Sequence, residues 1–239
     1  MLVSSVAKRL AHSAARYLNG VQAEYLAEQC IAVDEFDRPL HSVSKRDCHH
    51  TSTASLHRAF SVFLFTPNQE LVLQKRSDTK ITFPSVWTNS CCSHPLWTDD
   101  EMDPLNAIGV RKAAQRKLDH ELGVGFIDIN RMKVMGRFLY EARMSDGEWM
   151  EHELDYAIIV PDFDVKTLQP NPEEVSEVRS VSKEALADMM SNASTSFSPW
   201  FSLFYKKEWL STWWNNLSKL DAFADLTPVH RLQDSSQSK

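Results

Sequence analysis

The stretch Thr88-Asn89-Ser90-Cys91-Cys92-Ser93-His94-Pro95 gathers two thiols, three hydroxyls and an imidazole in a segment too polar for a core and too irregular for a strand. A lone cysteine is usually a small buried hydrophobe, whereas an imidazolium or metal beside it favours the reactive thiolate. His94 weighs this segment toward chemistry, with Cys91 and Cys92 both candidates. A second concentration is Glu151-His152-Glu153. Side chains two apart on a strand share a face, so Glu151, Glu153 and Asp155 point one way while His152, Leu154 and Tyr156 point the other. Carboxylates crowded on one face need water or a cation, leaving either a solvated acidic edge or a site for metal ligation and acid–base work. His49, His50, His57 and His94 supply the other half of a metal site. Imidazole with carboxylate suits a first-row divalent ion. Three histidines with two glutamates overfill a tetrahedral zinc site, so five- or six-coordination is expected. Lys45, Arg46, Arg76, Lys80, Arg116 and Lys117 recur between these groups, either as solvated faces or as a clamp for a small phosphate ester.

The elements that must position these groups read as one mixed α/β domain without internal repeats. Ala59 to Phe65 is a buried β-forming run, followed by the turn Thr66-Pro67-Asn68-Gln69 and Leu71-Val72-Leu73, which predicts a hairpin. Asp103-Pro104 predicts a helix start, with Ile108, Ala114, Leu118 and Leu122 along it and Gly123 as its stop. Strands are expected at 133–141 and 150–160, joined around Ser145-Asp146-Gly147. A short helix should follow Ser182, and a last helix after Pro199 should carry Trp200, Trp209, Trp213 and Trp214 mostly into the core.

Composition excludes several classes of function. With 26 Lys+Arg against 32 Asp+Glu, the net charge of −6 argues against a nucleic acid or an anionic membrane as partner. No stretch approaches the roughly 18 apolar residues of a membrane span. Neither G-x-G-x-x-G nor G-x-x-x-x-G-K occurs. Four cysteines without C-x-x-C spacing, and without a secretory signal, are expected to be reduced. Residues 1–23 carry Lys8, Arg9 and Arg16 and no acid, which fits an organelle transit peptide and equally a basic N-terminal arm. The domain proper is expected over 24–232, and 233–239 is a polar tail. Location is cytoplasmic, or mitochondrial or plastid if the extension acts as a transit peptide.

Four segments taken together, Leu56 to Phe65, Thr88 to Leu96, Gly147 to Glu153 and Ser198-Pro199-Trp200, closely resemble the type I isopentenyl-diphosphate isomerases over about residues 24–232. The resemblance implies a Nudix-like α/β/α sandwich with a mixed sheet, and a 1,3-allylic proton shift between isopentenyl and dimethylallyl diphosphate, an entry step of isoprenoid synthesis. It implies Cys92 as the catalytic thiol and Glu153 as the catalytic carboxylate and metal ligand, with Tyr140 and Trp200 in the pocket. His57, His94 and Glu151 match further ligands of one tightly bound divalent ion, Zn²⁺, Mn²⁺ or Mg²⁺. The upstream ligand is His49 or His50; His49 places Lys45 where the family keeps a substrate-binding lysine. Glu121 matches the acid that holds Mg²⁺ against the substrate diphosphate. Arg76, Lys80 and Ser93 match the diphosphate-binding surroundings. The partner implied is a small diphosphate, met by a monomer. Ser85 departs from the family, standing after Phe83-Pro84 where glycine is usual.

A Nudix pyrophosphohydrolase would share the fold, but hydrolysis needs the run R-E-x-x-E-E. Here the matching segment is Arg116-Lys117-Leu118-Asp119-His120-Glu121, with lysine and histidine in place of two glutamates. A non-catalytic diphosphate or metal binder would have no need of Cys92, Tyr140, Glu153 and Trp200 together.

Overall fold

The computed structural model describes residues 20–232. Most of the N-terminal extension, 1–19, and the tail 233–239 lie outside the described residues. The chain runs α1 (Gly20–Leu26), β1 (Gln29–Val33), β2 (Pro39–Ser44), α2 (Lys45–His49), β3 (His57–Phe65), β4 (Leu71–Arg76), β5 (Trp87–Thr88), β6 (Cys91–Ser93), α3 (Asp99–Met102), α4 (Ile108–Leu122), β7 (Lys133–Arg143), β8 (Met150–Val160), β9 (Val175–Val181), α5 (Lys183–Ser191), α6 (Pro199–Lys206), α7 (Trp209–Trp214) and β10 (Asp225–Arg231).

Every residue of β3 is buried, as an apolar run with helices on both faces of its sheet must be. It pairs in parallel with β8 from His57–Glu153 to Leu64–Val160. Its other edge is shared by three short partners: β1 at Ala32–His57, β6 across Phe60 to Val62, and β4 only at Leu64–Val72 and Phe65–Leu71. The expected hairpin therefore exists only at its turn. Beyond it β4 splays away to pair with β9 and β5, and the gap admits β6 with its two thiols. β7 and β8 form the expected antiparallel pair, with Tyr140 opposite Glu153 and Gly147 in the connecting turn at φ 74. The sheet runs β10-β7-β8-β3-β1-β2, parallel at β10–β7 and β3–β8 and antiparallel elsewhere.

Alternation along β8 separates two cores. Leu154, Tyr156 and Ile158 pack with Phe60 and Val62 against Val110, Ala114 and Leu118 of α4. Ala157 and Ile159 pack with Phe63 and Phe138 against Trp200, Phe201, Phe204 and Trp213 of α6 and α7. Helices thus cover both faces of a mixed sheet, the expected α/β/α sandwich.

Two helix boundaries depart from expectation. Asp103 does not cap α4: it ends α3, its Oδ1 accepts from Leu105 N at 2.9 Å, and Pro104 leads into a 3-10 turn with Asn106 (φ 50) and Ala107 (φ 53) left-handed. This turn brings α4 close against α3, where a Cβ on Gly109 would lie 2.3 Å from Glu101 O. The helix still stops at Gly123, at φ 61. The single tryptophan helix is two helices, because Glu208 turns left-handed (φ 61) and puts Trp209, Trp213 and Trp214 on α7 rather than beside Trp200 on α6. Ser182 and Ser198 cap α5 and α6, with Pro199 in the first turn of α6. No helix among the described residues is long and apolar enough to cross a membrane.

Candidate active site

The acidic face of β8 turns inward. Glu151, Glu153 and Asp155 are 3%, 7% and 1% exposed, which removes the solvated-edge reading. Three histidines converge on them: His49 from the end of α2, His57 from the first position of β3, and His94 just after β6. One ligand atom from each of His49, His57, His94, Glu151 and Glu153 lies within 4.8 Å of all the others. His49 Nε2 is 2.9 Å from Glu151 Oε2 and 3.9 Å from Glu153 Oε1, and His94 Nε2 is 2.7 Å from Glu153 Oε1. His49 Nδ1 donates to Lys45 O at 2.7 Å and His57 Nδ1 to Ser55 O at 2.8 Å, which aims both Nε2 atoms at the centre. His57 Nε2, fully buried, has no hydrogen-bond partner, its nearest carboxylate oxygen being Glu153 Oε1 at 3.7 Å. Outer nitrogens fixed by backbone carbonyls and an orphaned inner nitrogen are what a divalent cation requires of its ligands, so this group fits one.

His50 is not in the group. It leaves α2 in an extended conformation, pairs by backbone with Trp149, and its Nδ1 meets Ser52 Oγ at 2.8 Å, so the consecutive histidines point to different places. The electrostatics follow the crowding. Burial opposes a charge on His49, but Glu151 and Glu153 outweigh it and raise its pKa. Burial, with His49 and His57 nearby, pushes His94 well below the usual imidazole range. Burial works against an ionised Glu153, yet His57, His49 and the Tyr140 hydroxyl together hold its pKa down. Tyr140 donates to Glu153 Oε2.

Period two along β6 separates the thiols. Cys91 faces the α4 core and is 0% exposed, while Cys92 turns to the opposite side. There a cleft is lined by Cys92, Tyr140, Glu153, Trp200, Arg76 and Lys80, and also by Lys45, Ser93, His49, His94 and Glu151. The expectation that His94 activates a thiolate is not met, because its Nε2 is directed to Glu153. Burial instead raises the Cys92 pKa to about 12, against the pull of Arg76, whose Nη1 lies 3.5 Å from Sγ. Cys92 is therefore a protonated thiol, suited to giving a proton rather than to nucleophilic attack. All four cysteines are free.

At the cationic end, Arg76 is anchored by Phe83 O (2.9 Å) and Thr82 O (2.8 Å), with its guanidinium 5.6 Å from the Trp200 ring centroid. Lys80 pairs with Glu174 and lies 3.5 Å from Glu121. Burial draws Lys80 down to about 7, although Glu121 opposes it. Glu121 stands apart from the histidine cluster. It is fully buried behind the cleft wall, accepts from Gln74 Nε2 at 3.0 Å, and lies 3.6 Å from Lys117 Nζ. Despite burial, Lys80 and Lys117 hold its carboxyl well below the usual range. Ser85 takes φ 62, the conformation for which the family's glycine is suited. Sequence reasoning missed Glu174, in a loop without periodicity, and Gln22 and Tyr25 of α1, which also line the cleft.

The NUDIX domain family matches residues 55–201. The chloroplastic isopentenyl-diphosphate Delta-isomerase II of Arabidopsis thaliana is 45% identical over 229 residues, covering 90% of this chain and 79% of that protein. Isopentenyl-diphosphate Delta-isomerase 1 of Mus musculus is 42% identical over 224 residues, covering 90% of this chain and 97% of that protein. Among solved structures, a protein from Deinococcus radiodurans matches with a TM-score of 0.52 at 15% identity, covering 75% of this chain and 98% of its own, a likeness of fold alone. A helix-flanked mixed sheet with a NUDIX match, and relatives 42–45% identical over 90% of this chain, place the chain in the isopentenyl-diphosphate Delta-isomerase family.

Proposed function

We infer that the protein is an isopentenyl-diphosphate Delta-isomerase, interconverting isopentenyl and dimethylallyl diphosphate. The observation that carries the mechanism is that a protonated thiol, Cys92, and an ionisable carboxyl, Glu153, line one cleft whose other end holds Arg76 and Lys80. An unactivated alkene isomerises only if a proton is added at its terminal carbon and another is removed at the allylic carbon. Two proton-transfer groups in one cleft meet that need. Of the Cys92 thiol and the Glu153 carboxyl, one gives a proton to the terminal carbon while the other takes the proton lost from the allylic carbon, so no proton is gained or lost overall. Tyr140 donates to Glu153 Oε2 while Oε1 faces His94 and His57, which fixes the orientation of the carboxyl. The tertiary cation between the two transfers faces Trp200, whose ring stabilises a desolvated cation by about 2 kcal/mol. Aromatic walls also exclude the water that would convert the cation to an alcohol. Arg76, Lys80, Lys45 and Ser93 hold the diphosphate.

His49, His57, His94, Glu151 and Glu153 would hold the divalent ion, Zn²⁺, Mn²⁺ or Mg²⁺, which neutralises the paired carboxylates and favours the ionised form of Glu153. Glu121, buried behind the cleft wall beside Lys80, would be the acid for a Mg²⁺ that accompanies the diphosphate. Hydrolysis is disfavoured by α4 itself, where Lys117 is buried on Glu121 and Arg116 is spent on Glu101 at 2.6 Å. The test is incubation with isopentenyl diphosphate and Mg²⁺ followed by product separation. Dimethylallyl diphosphate is expected. Free phosphate or pyrophosphate as main product would return the hydrolase reading, and binding without turnover the binder.

A further inference from the structure

We propose that Asn89 is a positioning residue that locks the Trp200 indole and the Cys91–Cys92 peptide into one frame, so that the cation-facing ring and the proton-bearing thiol keep a fixed relation. The inference rests on the isomerase reading above. Asn89 is fully buried and does not line the cleft, yet its carboxamide is completely used. Nδ2 donates to Cys91 O at 2.7 Å and to Val62 O at 3.1 Å. Oδ1 accepts from Trp200 Nε1 at 3.0 Å and from Thr88 Oγ1 at 2.8 Å. The orientation of the amide is forced, because two partners can only accept and the indole can only donate.

The same frame extends to the start of α6. Thr88 Oγ1 lies 2.8 Å from Ser198 Oγ, Ser198 N donates to Trp87 O at 2.8 Å, and Ser198 Oγ accepts from Phe201 N at 3.4 Å as the cap of α6. Trp200 is therefore tied to the thiol segment both through its ring nitrogen and through the first turn of its helix. Turning the indole would strand a buried N–H and take one of two donors from the Asn89 oxygen, which keeps Thr88 Oγ1, and an unpaired buried donor costs more than the bond itself contributes. An indole that donates its N–H to an amide oxygen also carries more electron density on its face, which strengthens attraction for a cation. On the other side, the Nδ2 bond to Cys91 O fixes the plane of the peptide from which Cys92 projects.

The test compares two probes on the metal-loaded full chain: inorganic pyrophosphate with Mg²⁺, and a diphosphate ester bearing a tertiary ammonium where the carbocation would form. For Asn89→Ala, ammonium-diphosphate affinity should fall about tenfold while pyrophosphate affinity stays within about twofold, with kcat falling about tenfold or more and KM little changed. Trp200→Phe keeps a ring but removes the N–H, so adding Asn89→Ala to it should cost no further ammonium affinity. Should Asn89→Ala not fold, Asn89→Ser, too short to reach the indole, gives the same readings. Ammonium affinity kept by the Asn89 variants, parallel loss of pyrophosphate, or losses that multiply with Trp200→Phe would each overturn the role of Asn89. A wild-type protein that neither isomerises nor prefers the ammonium probe would instead overturn the functional reading itself.

Discussion

Stripping the divalent ion from the His49, His57, His94, Glu151, Glu153 group should cost the protein a large part of its thermal stability. Two carboxylates 3% and 7% exposed face each other across atoms no more than 4.8 Å apart, so the metal-free site must hold their charge in a nearly dry space. Glu151 and Glu153 raise the His49 pKa, so that below the raised value a proton on the imidazole offsets part of their charge. Because that pKa is raised, the stabilisation from this proton is full below the ordinary imidazole range and is lost as pH rises through the raised value. A bound dication replaces the proton and ends this dependence. At free metal about a thousandfold above Kd, binding stabilises by about 4 kcal/mol, which for a chain of this size is a rise in Tm of roughly 8–16 °C. Scanning calorimetry of loaded and chelated protein measures the shift, and titration calorimetry in two buffers should find about one proton released per ion below the raised His49 pKa. His57→Ala should abolish the shift, whereas His50→Ala, outside the group, should keep it. Loaded and chelated protein melting within about 2 °C of each other, with no proton release, would refute the reasoning.

Other outcomes follow from single positions. Cys92→Ala and Glu153→Gln should each abolish isomerisation while circular dichroism and cooperative melting persist, since each removes a proton-transfer atom without emptying a core. Ser85→Gly should stabilise the protein by about 0.5–1 kcal/mol in urea unfolding, because a serine at φ 62 bears most of the left-handed penalty and glycine gives back part of the gain as chain entropy. Gly109→Ala should destabilise by about 2–3 kcal/mol in the same assay, since its methyl would lie 2.3 Å from the Glu101 carbonyl oxygen; a neutral result would contradict the contact between α3 and α4.

The legible parts of this molecule were those with a strong local period. The apolar run of β3, the β7–β8 pair and the capped starts of α5 and α6 stand where pattern and capping place them. Period two along β8 also put Glu151, Glu153 and Asp155 on one face, but not whether that face met water or histidines, because burial depends on α2 and β6 arriving from elsewhere. His49 and His50 were inseparable for a related reason. Which one reaches the site depends on where α2 ends, and a five-residue helix has no period to read. Cys91 and Cys92 were divided by the alternation of a three-residue strand, too short to be seen before its pairing with β3. The Asp103-Pro104 signal was real but served a 3-10 turn, and the break at Glu208 carries neither glycine nor proline. Net charge argues against polyanions and is silent about a small anion, for which the cleft of this otherwise acidic chain offers Arg76 and Lys80.

The central claim is that one cleft adds a proton to an alkene and removes another, using Cys92 and Glu153. Incubation with isopentenyl diphosphate and Mg²⁺ in D₂O, followed by NMR and mass spectrometry, tests it most directly. Wild-type protein should yield dimethylallyl diphosphate carrying deuterium in a methyl group, and Cys92→Ala and Glu153→Gln should yield none. Release of phosphate or pyrophosphate as the main product, or deuterated dimethylallyl diphosphate formed at the wild-type rate by either variant, would contradict it.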